Sequence, residues 1–247
     1  MNVNLAPVLD VYRTAGDFTD QYERSYSKDP GSVSACGSAF IKGQQDAGVA
    51  ATAKHFPGLG PASASQNTDL TPVTLTTSAS TLRSVDEVPY RAAISAGAKL
   101  VMFSWAIYPA LDAIRPAGLS PTVVGELRDR LGFKGVTITD ALEAGALEEY
   151  GSVAERAVTA AAAGMDLILC SARDFSQGTT PWPHCATPWR PALSTGPPST
   201  RARSASAPSA AAWPDGHRTM PPQQGSKVSE EKASAGQDAV AWTVGTK

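Results

Sequence analysis

Val49-Ala50-Ala51-Thr52-Ala53-Lys54-His55-Phe56-Pro57-Gly58 carries the organising pattern of this chain. The aliphatic run Val49–Ala53 reads as a strand, and it stops on two cationic side chains and a Pro-Gly turn. Runs of this kind, apolar on both faces, suit parallel strands covered by helices. Four more occur, at Val3–Val8, Lys99–Ser104, Val136–Thr139 and Asp166–Cys170. Helical patterns lie between them. Pro30–Gln45 follows Asp29, a cap with proline in the first turn. Ser84–Ala96 has Glu87 three residues after Ser84, a capping-box pattern, and stops at Gly97. Pro89 inside that span moves the start of regular helix to near Asp86. Pro121–Leu131 lies between Ser120 and Gly132, and Ser152–Ala163 stops at Gly164. Strand–helix alternation with short connections predicts an α/β fold, either a barrel or a doubly wound sheet.

Composition narrows the function classes. The chain has 247 residues, is 42% hydrophobic and carries a net charge of -2, which leaves no basic footprint for nucleic acid. No apolar run reaches the length of a membrane span. Met1–Asp10 lacks a basic segment and a cleavage site, so it does not read as a signal peptide, and localisation stays open. The three cysteines, Cys36, Cys170 and Cys185, have no metal-ligand spacing, and His55, His184 and His217 form no ligand cluster. No glycine-rich phosphate loop follows a strand, so neither a metal nor a cofactor is expected. The pattern ends near Phe175. Residues 175–247 hold ten of the 19 prolines and four of the five tryptophans, and their only Leu, Ile, Val or Phe residues are Phe175, Leu193, Val228, Val240 and Val244. Such a segment cannot bury enough aliphatic surface to offset chain entropy. The expected division is therefore a folded domain over 1–174 and a low-complexity, disordered tail over 175–247.

Two strand ends carry candidate chemistry. Lys54 and His55 close the first run, where barrel active sites lie, and both can donate hydrogen bonds to hydroxyls. A solvated Lys and a satisfied His at a capped strand end is the structural alternative. Asp140 closes Gly135-Val136-Thr137-Ile138-Thr139-Asp140 and can serve as a nucleophile or base, or else cap the following turn. Asp166 opens its run, which puts it at the opposite face and favours a structural role. Trp105 is either a stacking wall for a ring or part of the core.

The blocks NLAPVLDV, KHFPGLG, LVMFSWAIYP, GFKGVTITDALEAGAL and AAAGMDLILC, in this order over roughly 1–172, resemble the N-terminal domain of glycoside hydrolase family 3. The resemblance implies a (β/α)8 barrel. It also implies a retaining glycosidase acting on β-glycosides, of the β-N-acetylhexosaminidase or β-glucosidase kind. Asp140 matches the nucleophile position, Lys54 and His55 the pair that holds sugar hydroxyls, and Arg24 the substrate-contacting arginine. Asp10, ending the LDV block, is expected to orient polar groups in the pocket. The acid/base is less regular. Family members of the acetylglucosaminidase branch carry Asp-Ser-His on the loop after KHFPG, whereas here Leu59–Pro72 has no histidine and Asp69 is its only carboxylate. Asp69 is therefore the expected acid/base. Five strands are counted where a closed barrel has eight. The expectation is an incomplete barrel lacking the family's first strands, a truncated product with a reading-frame change near Phe175. The competing reading is a catalytically impaired remnant or a sugar-binding protein.

Overall fold

The computed structural model of the chain describes residues 1–172. The tail expected at 175–247, with Cys185, His184 and His217, lies outside the described residues. The strands in chain order are β1 (Val3–Asn4), β2 (Ala50–Phe56), β3 (Leu100–Phe103), β4 (Ile107–Tyr108), β5 (Asp112–Pro116), β6 (Val136–Ala141) and β7 (Leu167–Leu169). The helices are α1 (Pro30–Asp46), α2 (Ala79–Thr81), α3 (Val88–Ser95), α4 (Pro121–Gly125) and α5 (Val153–Ala163). None of them is long and apolar enough to cross a membrane.

Five strands form one parallel sheet in the order β1-β2-β3-β6-β7. Each strand joins beside the one before it, so the order never reverses. A doubly wound sheet reverses at a switch point. The sheet is thus a curled part of a (β/α)8 barrel wall, incomplete as expected. β4 and β5 form a separate antiparallel hairpin that none of the apolar runs marks.

Alternation along the strands builds two apolar layers. Ala51, Ala53, Val101 and Phe103 join Val33, Ile41, Tyr90, Leu127, Phe133 and Ala157 in one large core between sheet and helices. Leu100, Met102, Ile138 and Leu169 form a smaller cluster with Val3, Leu5 and Leu167. Phe56 anchors the first layer edge-on, 5.2 Å from Tyr90 and 5.2 Å from Phe103 between ring centres. Such pairs contribute roughly 0.5–1.5 kcal/mol each beyond their buried area.

The helix starts follow local capping chemistry. Asp29 accepts the Ser32 N–H at 2.7 Å ahead of Pro30. Ser120 accepts the Val123 N–H at 3.2 Å. Ser152 and Glu155 cap reciprocally, at 3.3 Å and 2.8 Å, and α5 stops at Gly164 with φ 108°. One start differs from the reading. The helical path begins at α2, where Ser78 accepts the Thr81 N–H at 3.1 Å. A wide turn over Leu82–Asp86 follows, and α3 opens with Pro89 in its first turn. Glu87 caps nothing; it is buried and pairs with Arg130.

Strand ends also shift. β2 continues through Lys54 and His55 to Phe56, because Lys54 pairs with Met102 and Phe56 with Phe103 across a local irregularity. β6 runs past Asp140 to Ala141. The Val3–Val8 run leaves the regular ladder after Asn4 but stays bonded to β2, the Thr52 and Lys54 N–H groups donating to the Ala6 and Pro7 carbonyls at 2.8 Å and 3.1 Å. Ladder pairing resumes at Val8, opposite Lys54, and the Leu9 N–H reaches the Lys54 carbonyl at 2.6 Å.

Candidate active site

Parallel neighbours in register bring their C-terminal ends to one rim, and three of those ends carry the polar cluster. Asp10 lies just past the Val8 bridge and is wholly buried. One carboxylate oxygen accepts the backbone N–H groups of His55 and Leu59, at 3.2 Å and 2.7 Å. The other meets His55 Nδ1 at 2.7 Å. Three contacts on one buried carboxylate fix the imidazole plane and place a proton on Nδ1. The opposite nitrogen, Nε2, then faces Asp140 Oδ2 at 3.8 Å. Asp140 also accepts the Ala141 N–H through Oδ1 at 2.8 Å.

Lys54 belongs to the same cluster electrostatically. Burial pushes its ammonium below the ordinary lysine value, while Asp140, Asp10 and Asp69 pull it back and Arg24 adds to the depression. Asp69 moves the opposite way. Burial raises it above the ordinary carboxylate value, the charge of Asp140 raises it further, and His55, Arg24 and Lys54 oppose both. Part of the Asp69 side chain stays open to solvent, at the rim of the cluster. A carboxyl held high beside a second carboxylate is the arrangement that divides acid from nucleophile.

The loop that carries Asp69 is shaped by Asn67, whose side-chain oxygen accepts the Asp69 N–H at 2.8 Å. Arg24 follows Tyr22 and Glu23, both left-handed at φ 63° and 56°, a conformation that side chains other than glycine rarely adopt. Its side chain is exposed, yet its charge reaches both Lys54 and Asp69. The structure thus brings Asp10, Lys54, His55, Asp140, Asp69 and Arg24 to one place.

Trp105 takes the core alternative. It is 1% exposed, so no ring face is open to a sugar. Its indole N–H donates to the Ala141 carbonyl at 2.8 Å, and Gly118 leaves room for the ring: a Cβ there would lie 2.5 Å from it. Trp105 therefore props the strand end that carries Asp140. Asp166 sits at the far end of the sheet and accepts the Thr137 N–H at 2.8 Å, a structural role.

Sequence reading missed two supports. Arg13 donates to both oxygens of buried Asp86, at 2.8 Å and 2.6 Å, and bridges two segments 73 residues apart. The backbone of Gly145 and Ala146 meets the Asp69 loop. Neither contact has a local signature, whereas Asn67, two residues before Asp69, could have been read as an Asx turn. A surface hollow of about 440 Å³ lies elsewhere, along Ala154, Glu155, Val158 and Thr159 of α5. Its one charged member, Glu155, is engaged in capping, so converging chemistry rather than cavity size locates the site. Among the described residues, no group of three or more His, Cys, Asp and Glu side chains is placed to hold a metal ion.

Comparison with known proteins places the chain. Residues 1–180 match the glycosyl hydrolase family 3 N-terminal domain. An uncharacterized secreted glycosyl hydrolase of Arthroderma benhamiae is 52% identical over 179 residues, 72% of this chain and 51% of that protein. A beta-hexosaminidase of Stenotrophomonas maltophilia is 37% identical over 172 residues, 68% of this chain and 49% of that protein. The chain thus spans about half the length of the curated relatives it matches. Among solved structures, a family 3 beta-N-acetylglucosaminidase from a Paenibacillus species superposes with a TM-score of 0.65 at 38% identity, covering 69% of this chain and 32% of that one. A beta-N-acetylhexosaminidase from Beutenbergia cavernae gives 0.64 at 36% identity, covering 70% and 52%.

Proposed function

The chain belongs to glycosyl hydrolase family 3, and on that premise we propose that it hydrolyses β-N-acetylhexosaminides with retention of configuration. The observation that carries the reading is the pairing of Asp140 with Asp69 around His55 and Lys54. The beta-hexosaminidase names of relatives at 35–38% identity support the choice of sugar over a β-glucoside.

In this reading the Asp140 carboxylate attacks the anomeric carbon. Asp69, whose carboxyl burial and the charge of Asp140 raise above the ordinary carboxylate value, gives its proton to the glycosidic oxygen as the carbon–oxygen bond breaks. The aglycone leaves as an alcohol, and the sugar stays as an ester on Asp140. That ester is neutral, so one of the two influences that raised Asp69 disappears. Asp69 then takes a proton from water as the water attacks the anomeric carbon and releases Asp140. Lys54 and Arg24 donate hydrogen bonds to ring hydroxyls, His55 accepts one through Nε2, and Asp10 holds His55 in place.

Two measurements on the full chain test this. A 2-fluoro glycoside with a good leaving group should label one residue, and peptide mass spectrometry should find Asp140. Turnover of nitrophenyl β-N-acetylglucosaminide should exceed that of nitrophenyl β-glucoside. Labelling of another carboxylate, or none at all with sugar binding intact, would defeat the assignment.

A further inference from the structure

We infer that Gly145 and Ala146, just past Asp140 in sequence, are positioning residues that seat the Asp69 loop and so hold the two carboxylates at a fixed separation. The inference rests on the reading of Asp69 as acid/base. Its own basis is the backbone. The Gly145 N–H donates to the Asp69 carbonyl at 2.8 Å, and the Ala146 N–H donates to the Thr68 carbonyl at 3.1 Å. Thr68 is 2% exposed and both donors, Gly145 and Ala146, are buried, while Asp69 and Leu70 face solvent.

Gly145 is required by the closeness of that approach. A Cβ at this position would lie 2.2 Å from the Leu70 carbonyl oxygen, 2.5 Å from its carbon and 3.1 Å from its Cα. All three are backbone atoms, which cannot swing aside as a side chain can. Any side chain here must lift the 68–70 stretch off its seat. The same short segment therefore follows Asp140 out of β6 and sets the height of Asp69. Geometry passes from one carboxylate to the other through main-chain atoms alone, with no flexible side chain between.

The electrostatic consequence follows the geometry. The charges that act on Asp69 come from Asp140 on β6, from Lys54 and His55 on β2, and from Arg24 on the 12–28 loop. Burial and Asp140 raise it; the other three lower it. Lifting the loop exposes Asp69 further and moves it from Asp140, and both changes lower its pKa toward the ordinary value.

The test is Gly145→Ala, measured on substrates with good and poor leaving groups and across pH. Proton donation matters most for a poor leaving group. The kcat/KM for an alkyl β-glycoside is expected to fall on the order of 100-fold, the usual contribution of general acid catalysis, with little change in kcat/KM for a dinitrophenyl glycoside, whose glycosylation needs no proton. The alkaline limb of the pH profile is expected to move to lower pH, and labelling of Asp140 is expected to persist. Equal losses on both substrates with an unmoved limb would overturn the inference. Ala146→Pro, which deletes the second N–H at the start of a helical turn, gives an independent variant with the same expected signature. Asp69→Ala separates the two claims. If it shows the acid/base pattern and Gly145→Ala does not, the seat fails alone; if it turns over alkyl glycosides normally, the reading of Asp69 fails. Amide exchange needs no variant: slow exchange at Gly145 and Ala146 in the full chain is expected, and fast exchange at both would overturn the seat.

Discussion

Replacing Asp10 by alanine should do more damage than any other single change in the cluster, and most of it should appear as lost stability. The wholly buried carboxylate serves three N–H groups, those of His55 N, His55 Nδ1 and Leu59 N, at 3.2, 2.7 and 2.7 Å. Alanine leaves all three without an acceptor in a space closed to water. A buried donor left unpaired costs about 1–3 kcal/mol, so the sum is roughly 3–9 kcal/mol. Whole domains are stable by only about 5–15 kcal/mol. Even the lower figure should shift a urea midpoint by about 1 M or more, given slopes of about 1–3 kcal/mol/M. Asparagine separates fold from chemistry. Its oxygen can keep both backbone N–H groups, while its amide N–H turns toward His55 Nδ1 and drives the ring proton to Nε2. Asp10→Asn should therefore remain folded and lose activity. The assay is urea denaturation followed by circular dichroism, paired with glycoside turnover. An Asp10→Ala protein with the parent midpoint would refute the account of the site's foundation.

Other outcomes follow from neighbouring groups. Burial raises Asp86 from 3.8 to about 7 against the pull of Arg13. The folded chain then binds the extra proton between those values, so this group's stabilising contribution declines as pH rises through that window, by roughly 4 kcal/mol at its upper end. Asp86→Asn should flatten the stability–pH curve there, as read by thermal melting. The depressed pKa of Lys54 means that its charge is lost at a pH below the ordinary lysine value. KM should rise on the alkaline side at a pH below that of an ordinary lysine, and Lys54→Met should show a high KM with no such rise. Trp105→Phe removes the bond to the Ala141 carbonyl and should cost about 1–3 kcal/mol in chemical denaturation. Gly118→Ala, forced against the same ring, should cost about 1–3 kcal/mol by overpacking.

What could be read from the sequence was what short-range physics determines. Asp29-Pro30, Ser120-Pro121 and Ser152 with Gly164 mark helix limits through bonds made within a turn. The apolar runs marked all five sheet strands, because a strand buried on both faces needs no distant partner to declare itself. The barrel-or-open-sheet question needed strand order, which is a long-range property. The β4–β5 hairpin stayed hidden because it is half polar, with Ile114 77% exposed and no alternation to betray it. At the site, Lys54, His55 and Asp140 were legible as polar groups ending apolar runs. Whether Trp105 faced a sugar or the core was not, since the answer lies in a glycine 13 positions away that leaves room for its ring.

The unbroken strand order has a consequence for how the molecule comes into being. Chains are made and folded from the N-terminus, at about 5–20 residues per second. In a sheet ordered β1-β2-β3-β6-β7, each newly made strand finds its partner already in place, at the growing edge. Asp10 and His55 can therefore clasp each other before Asp140 has been synthesised. The pocket is assembled like a wall laid from one end, its oldest course holding the histidine ready for the carboxylate that arrives last.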